Sequence, residues 1–507
     1  MLKSSIGMPL PTPASETPPQ KEGQQKAPSG APTAATRVGF VSLGCPKNLV
    51  DSEVMMGMLA RAGADLTQNA ENADVIVVNT CSFIESAQQE SVNAILEMAR
   101  HKSEGRARKL VVAGCLVERF RDQIRRDIPE VDAVVGTGEL EKILAASGVA
   151  EGVSPPSPFK ILTSRAEGEV RSAQGRFSRE SWNGAITDLP SYLYDETTPR
   201  VLATPGYTAY IKIAEGCDHP CSFCIIPQLR GKFRSRRFES VIAEAERLVA
   251  AGVREITLIG QDTTCYGEDF GLQNGLARLL EKLAAIDGLR WVRFLYAYPN
   301  KITGRLLETI AGHDKICSYM DVPLQHASRG TLKRMKRGGG AEIFLHSIEK
   351  MRRAVPGITL RTSFIVGFPG ETQKEFEELC EFVREAQFDW MGTFAYSDQE
   401  GAGAYSLDKK LSAREIERRR RHLMQIQRGI SRRKKKALIG REFDLLLEGT
   451  SSETDLLLEG RTAMHAPEID GKVFVNDVPD ELEPQPGQFY RCQITEAHDY
   501  DLVARIV

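Results

Sequence analysis

Three closely spaced cysteines are the residues of this 507-residue chain whose types and positions most clearly predict chemistry. They are Cys217, Cys221 and Cys224, in the segment KIAEGCDHPCSFCIIP. A structural zinc site is usually closed by four ligands, so three thiolates alone do not complete one. The spacing is instead typical of a [4Fe–4S] cluster in which one iron is left free to bind another molecule. Two other interpretations stay open from spacing alone: a zinc knuckle with a distant fourth ligand, or reduced cysteines in a core.

A second set of cysteines follows three predicted strands near the start of the chain. The segments RVGFVSLGC, DVIVVNTC and KLVVAGC end at Cys45, Cys81 and Cys115. Helical patterns separate them, which indicates a doubly wound parallel sheet. The carboxyl ends of parallel strands lie along one edge, where ligands collect. We therefore expect these three thiols to hold a second metal cluster, the alternative being three small buried residues.

Composition limits the class of protein. Hydrophobic residues make up 41% and charged residues 26% of the chain, as in soluble globular proteins. The length predicts about three domains. No apolar run approaches the ~20 residues that span a bilayer, and MLKSSIGMPLPTPAS lacks the apolar core of a signal peptide. We expect a cytoplasmic protein whose ten cysteines are metal ligands or packing residues rather than disulfides.

Changes of pattern along the chain predict five segments. Residues 1–36 contain seven prolines and few large apolar side chains, which predicts a disordered leader. Residues 37–149 form the N-terminal domain with the first three cysteines. Residues 150–200, rich in Ser, Glu and Arg, read as a linker or insertion. Residues 201–437 and 438–507 form two further domains.

The two later domains have different periodicities. From Tyr207 onward six strand–helix units follow one another, which predicts an open (β/α)6 partial barrel with the cysteine loop after its first strand, at the carboxyl mouth. A basic helix over 413–438 has an apolar stripe, and its Arg and Lys residues form a solvated face or contact RNA or an acidic protein. The short alternating segments of 441–507 predict a small antiparallel β-barrel.

With both cysteine triads in place, the chain resembles the methylthiotransferase branch of the radical S-adenosylmethionine superfamily. The resemblance runs from Val38 to the C-terminus, and only the leader and the 150–200 insertion fall outside it. Members have an N-terminal domain with an auxiliary [4Fe–4S] cluster, a partial barrel with a reductive [4Fe–4S] cluster, and a terminal TRAM barrel. Cys45, Cys81 and Cys115 match the auxiliary set, and the CDHPCSFC motif matches the reductive set.

Three further segments resemble the branch that modifies a ribosomal protein. They are MDVPLQHAS, IGQDTTCYG and HAPEIDG; the tRNA-modifying branch more often has a serine-rich QSGS form in the first of these. Members of this branch, called the RimO type, act on an aspartate of the twelfth small-subunit ribosomal protein.

Charge supports the same branch independently. Residues 441–507 contain five basic and fifteen acidic residues, a net charge of −10. Such a module repels a phosphate backbone and attracts a basic protein. The alternatives are a tRNA adenosine methylthiotransferase, which would fit better with a basic barrel, and an iron–sulfur electron carrier or scaffold, which has no need of the barrel.

The resemblance implies a radical mechanism with two clusters and S-adenosylmethionine. The cluster at Cys217, Cys221 and Cys224 binds S-adenosylmethionine and cleaves it to a 5′-deoxyadenosyl radical, which takes hydrogen from the β-carbon of the aspartate. The auxiliary cluster supplies sulfur, and a second S-adenosylmethionine donates the methyl group. Expected partners are the ribosomal protein, free or within the 30S subunit, a flavodoxin or ferredoxin as electron donor, and ribosomal RNA; no membrane is involved.

Five further positions are predicted to contact S-adenosylmethionine: Phe223, Gln261, Gln325, Ile365 and Gly367. Phe223 lies between the last two cysteines and fits the family pattern, whereas the other four are equally well explained by packing at the barrel mouth.

Other candidate residues are left without a ligand role. The segment GFPGE departs from the superfamily's GxIxGxxE pattern, so no such role is assigned to Glu371. The remaining cysteines are interpreted as packing residues: Cys265, Cys317, Cys380 and Cys492.

Overall fold

The computed structural model describes residues 35–149 and 190–507. Most of the predicted leader and of the 150–200 insertion lies outside these ranges, and residues 190–200 contain no helix or strand. The described residues form two compact units. The first contains 35–82, 87–149 and 199–201, and the second contains the rest.

The first unit is built on a five-stranded parallel sheet with strand order β2-β1-β3-β4-β5. Its central strand is buried at all six positions, as expected for an apolar run covered on both faces. The parallel sheet predicted for this domain is therefore present. The strands are β1 Arg37–Ser42, β2 Asp65–Thr67, β3 Val75–Thr80, β4 Lys109–Gly114 and β5 Ala133–Val135. The helices are α1 Pro46–Arg61, α2 Glu85–Ser103, α3 Cys115–Asp127 and α4 Ile143–Ser147.

The second unit begins with six parallel strands that alternate with helices. They form two three-stranded sheets of order β10-β9-β6 and β11-β12-β13, joined by a parallel bridge between Val292 and Ile316. This is the predicted six-strand partial barrel. Its strands are β6 Thr208–Lys212, β9 Glu255–Ile259, β10 Trp291–Phe294, β11 Tyr319–Asp321, β12 Thr359–Val366 and β13 Trp390–Ala395. A separate antiparallel pair is formed by β7 Ala214–Glu215 and β8 Arg234–Ser235. The helices are α5 Ile226–Arg230, α6 Phe238–Ala250, α7 Gly275–Ala284, α8 Gly304–Ala311, α9 Arg329–Arg334, α10 Ala341–Ala354, α11 Gln373–Ala386 and α12 Ala413–Lys436.

A closed five-stranded barrel of order β14-β15-β16-β18-β17 completes the second unit. The prediction of a wholly antiparallel barrel is wrong at one pair, because β16 and β18 run parallel. The intervening β17 pairs antiparallel with β14 and β18, which brings β18 beside β16 in the same direction. The strands are β14 Glu442–Thr450, β15 Leu458–Thr462, β16 Val473–Asp477, β17 Phe489–Ala497 and β18 Leu502–Ile506.

Buried ion pairs join this terminal barrel to the six-strand sheet. Arg461 Nη2 lies 2.6 Å from Glu255 Oε2, and Arg293 Nε lies 2.9 Å from Glu255 Oε1. Burial alone raises the pKa of Glu255, but the two guanidinium groups outweigh burial and hold that pKa at about 2. Nearby, the Tyr319 hydroxyl donates to Asp470 Oδ2 at 2.7 Å. We call this set of contacts the charged seam.

Helix α12 contacts both parts of the second unit through its basic residues. Arg419 Nη1 lies 2.7 Å from Glu371 Oε1, and Arg432 Nε lies 2.8 Å from Asp499 Oδ1 of the terminal barrel. The Lys435 ammonium lies 3.6 Å from the centre of the Trp390 ring. Several cations of this helix therefore have partners within the chain, which the interpretation as a solvated face did not anticipate.

Candidate metal centres

The loop that carries Cys217, Cys221 and Cys224 follows β6 and β7 and is held in place by backbone contacts. The Cys217 amide donates to the Gly231 carbonyl at 3.2 Å. Gly216 has a φ of +79°, and a Cβ there would collide with the Lys232 carbonyl, so only glycine fits this entry to the loop. Between the last two cysteines, Ser222 donates its amide to Met335 at 3.0 Å and its hydroxyl to Arg334 at 2.8 Å.

The cysteines of this loop are partly buried and close enough to affect one another. Burial, together with negative charge on neighbouring cysteines of the loop, raises the pKa of Cys217 to about 11 and that of Cys224 to about 12. A bound cation that compensates the negative charge favours the thiolate form of these two residues.

A second group of possible ligands lies beside the triad. Among the described residues, His219, Asp262 and Cys265 have ligand atoms that all lie within 4.8 Å of one another. A [4Fe–4S] cluster would take one thiolate of the triad at each of three irons, which leaves the fourth iron free.

Two of the predicted S-adenosylmethionine contacts lie together. Phe223 and Ile365 pack against the same small apolar cluster, which is formed by Met335, Phe368 and Ala404. Phe223, which directly precedes the third cysteine, thus shares an apolar surface with Ile365 near the end of β12.

The two predicted glutamines have defined hydrogen-bond partners. The Gln325 backbone, with a φ of +71°, pairs with β12: its amide donates to Ser363 at 2.9 Å and its carbonyl accepts from Ile365 at 2.8 Å. The side-chain amide of Gln261 donates to Glu215 Oε1 at 2.6 Å. Glu215 lies two residues before Cys217 in the sequence.

Gly367 lies in a turn after β12, where other residues of the chain surround it. Its amide donates to Glu371 Oε2 at 2.5 Å, and a Cβ at its position would meet Ile416 of α12. The same Glu371 carboxylate accepts from the Phe368 amide at 3.1 Å and pairs with Arg419. This bonding is consistent with assigning Glu371 no ligand role.

Four residues near the cysteine loop were not singled out from the sequence. His219 Nε2 lies 2.6 Å from Asp262 Oδ2, and the His219 ring stacks on Tyr298 with centroids 3.8 Å apart. Arg337 Nη1 donates to Cys221 Sγ at 3.6 Å. His219 and Asp262 lie inside CDHPC and IGQDTTCYG, which were quoted as motifs, but no pattern pointed to Tyr298 or Arg337.

Cys265 differs from the other cysteines left without a ligand role. Its thiol donates to Asp262 Oδ2 at 3.1 Å, so it belongs to the His219–Asp262 group. Cys317, Cys380 and Cys492 are buried, in agreement with packing roles.

In the first unit the other three cysteines end three neighbouring strands. Cys45 is the N-cap of α1 after β1, Cys81 follows β3, and Cys115 opens α3 after β4. Since β1, β3 and β4 are adjacent and parallel, the three residues share one sheet edge, as predicted.

Close packing at this edge requires glycine. Gly44 has a φ of +92°, and a Cβ there would lie 3.0 Å from Cys81 Sγ. Side-chain amides hold the strand ends together: Asn48 donates to the carbonyls of Leu43 at 2.7 Å and Thr80 at 3.0 Å. Glycine at position 44 therefore keeps the turn before Cys45 clear of the Cys81 thiol.

Three family profiles match the chain. Residues 37–136 match the uncharacterized protein family UPF0004, residues 211–383 match the radical SAM superfamily, and residues 439–507 match the TRAM domain. The first match covers the five-stranded parallel sheet, the second covers most of the six-strand partial barrel with its cysteine loop, and the third covers the terminal barrel.

Similarity to curated proteins extends over nearly the whole chain. The ribosomal protein uS12 methylthiotransferase RimO of Koribacter versatilis is 68% identical over 94% of this chain and 97% of its own. The protein of the same name from Solibacter usitatus is 55% identical over 93% of this chain and 95% of its own. The chain belongs to the RimO family of radical SAM methylthiotransferases.

A solved structure shares the fold. The radical S-adenosylmethionine methyltransferase TsrM from Kitasatospora setae superimposes with a TM-score of 0.50 at 14% identity, over 73% of this chain and 74% of its own. Among the described residues no helix is long and apolar enough to cross a membrane.

Proposed function

We propose that this protein inserts sulfur and a methyl group at the β-carbon of an aspartate of ribosomal protein uS12. One hydrogen of that carbon is replaced by SCH3, so the product gains CH2S. The observation that carries the proposal is the 68% identity to a uS12 methylthiotransferase over 94% of the chain. Both cysteine triads lie within the matched families, at the carboxyl ends of parallel strands.

The proposed cofactors are two [4Fe–4S] clusters and S-adenosylmethionine. Cys217, Cys221 and Cys224 hold the reductive cluster, and Cys45, Cys81 and Cys115 hold the auxiliary one. When bound, these groups supply the radical and the sulfur that an unactivated C–H bond requires.

The chain's own residues bind and orient these groups. Gly216 and the bonds of Ser222 hold the reductive loop, while Phe223 and Ile365 offer an apolar wall that excludes water from S-adenosylmethionine. Gln261 and Gln325 are assigned polar contacts to the same ligand, and Gly367 the turn beside it.

The proposed domains are 37–149, 201–437 and 438–507, preceded by the leader 1–36 and interrupted by the linker 150–200. The acidic terminal barrel is assigned the contact to basic uS12, free or in the 30S subunit, in the cytoplasm. A flavodoxin or ferredoxin is the proposed electron donor, and exposed cations of α12 are the proposed contact to ribosomal RNA. Net charge supports the protein contact, since the last 67 residues carry −10.

The test is mass spectrometry of both candidate substrates. The protein is reconstituted anaerobically with iron and sulfide, then incubated with dithionite, S-adenosylmethionine, and either uS12, 30S subunits or tRNA. We expect a gain of CH2S on one aspartate of uS12, and no gain with the Cys221→Ala variant. Methylthioadenosine in tRNA with unchanged uS12 would establish the tRNA alternative instead.

A further inference from the structure

Arg337 lies in a line of stacked side chains that crosses the reductive cysteine loop. Its Nη2 donates to the Pro323 carbonyl at 2.9 Å, and its guanidinium carbon lies 4.6 Å from the centre of the Tyr298 ring. Its Nη1 donates to Cys221 Sγ at 3.6 Å. A carbonyl, a ring and a sulfur thus hold one guanidinium in place.

The line continues from Tyr298 into the cysteine loop itself. The Tyr298 ring stacks on His219, with an angle of 8° between the ring planes, and His219 pairs with Asp262. His219 lies between Cys217 and Cys221 in the sequence. The loop is therefore attached to the segments that follow β9 and β10, and Arg337 adds a contact to the thiol.

A cation that donates to a cluster-bound sulfur affects the cluster's electronics. Reduction adds one negative charge to the cluster, and a neighbouring positive charge stabilises the reduced state more than the oxidised state. Hydrogen bonds to the ligand sulfurs and local net charge are among the factors that set iron–sulfur potentials. Arginine suits this position because it stays charged and stacks on an aromatic ring.

We propose that Arg337 is a positioning residue that orients the Cys221 thiolate and raises the reduction potential of the cluster at Cys217, Cys221 and Cys224. This inference rests on the proposed function, because it requires a cluster at that triad. It concerns the ease of reduction and leaves the identity of the substrate unaffected.

The test is a potentiometric EPR titration without S-adenosylmethionine, in the full chain carrying Cys45→Ala, Cys81→Ala and Cys115→Ala, so that one cluster is observed. We expect Arg337→Gln to make one-electron reduction about tenfold less favourable, a fall of about 59 mV in midpoint potential. Arg337→Lys keeps the charge but lacks the planar fork, and it should shift the potential in the same direction by less.

Arg329→Gln is the matched control. Arg329 is an exposed arginine of the neighbouring helix α9, and its ion pair is with Glu342, which is also exposed. This variant should leave the potential unchanged. Iron is measured in every sample. About four irons with an unshifted potential in both Arg337 variants would overturn the inference while leaving the proposed function intact. If Arg337→Gln takes up no iron, the lysine variant decides. An absence of iron in the parent protein would instead count against the proposed cluster.

Discussion

His326 is a residue whose buried environment makes stability depend on pH. It is fully buried, and its Nδ1 accepts from the Ser328 amide at 3.0 Å. Burial lowers the pKa of His326 from 6.5 to about 3 in the folded chain. As pH falls below about 6.5, the unfolded chain binds a proton that the folded chain does not. The free energy of unfolding should therefore fall by about 1.4 kcal/mol per pH unit until the pH approaches 3.

The His326→Asn variant tests this dependence, since asparagine supplies an acceptor for Ser328 but does not titrate. Urea unfolding midpoints measured between pH 7 and 5 should fall less steeply in the variant than in the parent. A residual slope is expected from His465, whose pKa burial also lowers. Equal slopes in the two proteins would contradict the assignment.

At the first-unit sheet edge, Gly44 provides a test of the auxiliary site. Gly44→Ala would strain a φ of +92° and place a methyl group against Cys81. We expect iron to fall from about eight to about four per chain, because one of two four-iron clusters is lost. Gly63→Ala is the control: its φ is +90°, but no heavy atom lies within 4 Å of the added Cβ. A similar loss in both variants would mean that strain, and not crowding of the site, is responsible.

Single residues differ in how far the sequence reveals them. Each cysteine of the two triads is predicted as a ligand from its type and spacing, because ligands of one cluster need a short loop or equivalent strand ends. Arg337 and Tyr298 were missed, because stacking depends on tertiary placement and leaves no periodic signal. Asp470 is one of the fifteen acids counted in the charge of residues 441–507, yet its side chain is buried, and burial raises its pKa despite Arg361.

At the scale of elements, the carboxyl ends of parallel strands carry the predicted ligand cysteines in both units. The triple change of Cys45, Cys81 and Cys115 to Ala should spare reductive cleavage of S-adenosylmethionine but abolish sulfur insertion. The single change Cys221→Ala should abolish both. Cleavage is measured as 5′-deoxyadenosine and insertion as methylthiolated uS12. Methylthiolated product from the triple variant would show that the first-unit cysteines are structural.

Strands and helices were mostly predictable because their patterns are local. The apolar runs that end at Cys45, Cys81 and Cys115 predicted β1, β3 and β4, and the apolar stripe of the basic helix predicted α12, all close to their observed bounds. The parallel pairing of β16 with β18 was not predictable, since strand order depends on contacts between distant segments. For the same reason no sequence pattern indicated that Arg461 would pair with Glu255, 206 residues away.

At the scale of the whole molecule, the charged seam joins the terminal barrel to the six-strand sheet. Arg461→Met leaves Glu255 paired with Arg293 alone and removes the ion pair of Arg461 with Glu448. We therefore expect the free energy of unfolding to fall by about 3–5 kcal/mol, as for other broken buried pairs. The measurement is urea unfolding, with protease cleavage near residues 437–441 as a second readout. Arg491→Met, which removes an exposed arginine paired with Glu442 and Asp444, should leave the midpoint unchanged. Equal midpoints in both variants would show that the seam contributes little.

The acidic surface of the terminal barrel predicts binding that depends on salt. Asp477, Asp480 and Glu481 are exposed, and reversing all three to Lys should weaken uS12 binding about tenfold at low salt. The difference should shrink as ionic strength rises, because screening acts beyond ~8 Å at 0.15 M. The control reverses three exposed acids of α11, namely Glu377, Glu381 and Glu385. Equal weakening by the control would indicate an effect of net charge alone.

The charged seam also bears on how the chain is made. A ribosome synthesises Glu255 long before Arg461, which follows 206 residues later. Until then the end of the sheet around Glu255 and Arg293 has no covering barrel. A surface of carboxylate and guanidinium groups stays hydrated during that wait, whereas an apolar surface of the same extent would attract other nascent chains. Translation that stops before Arg461 therefore leaves a chain that is incomplete at this surface but resists aggregation there.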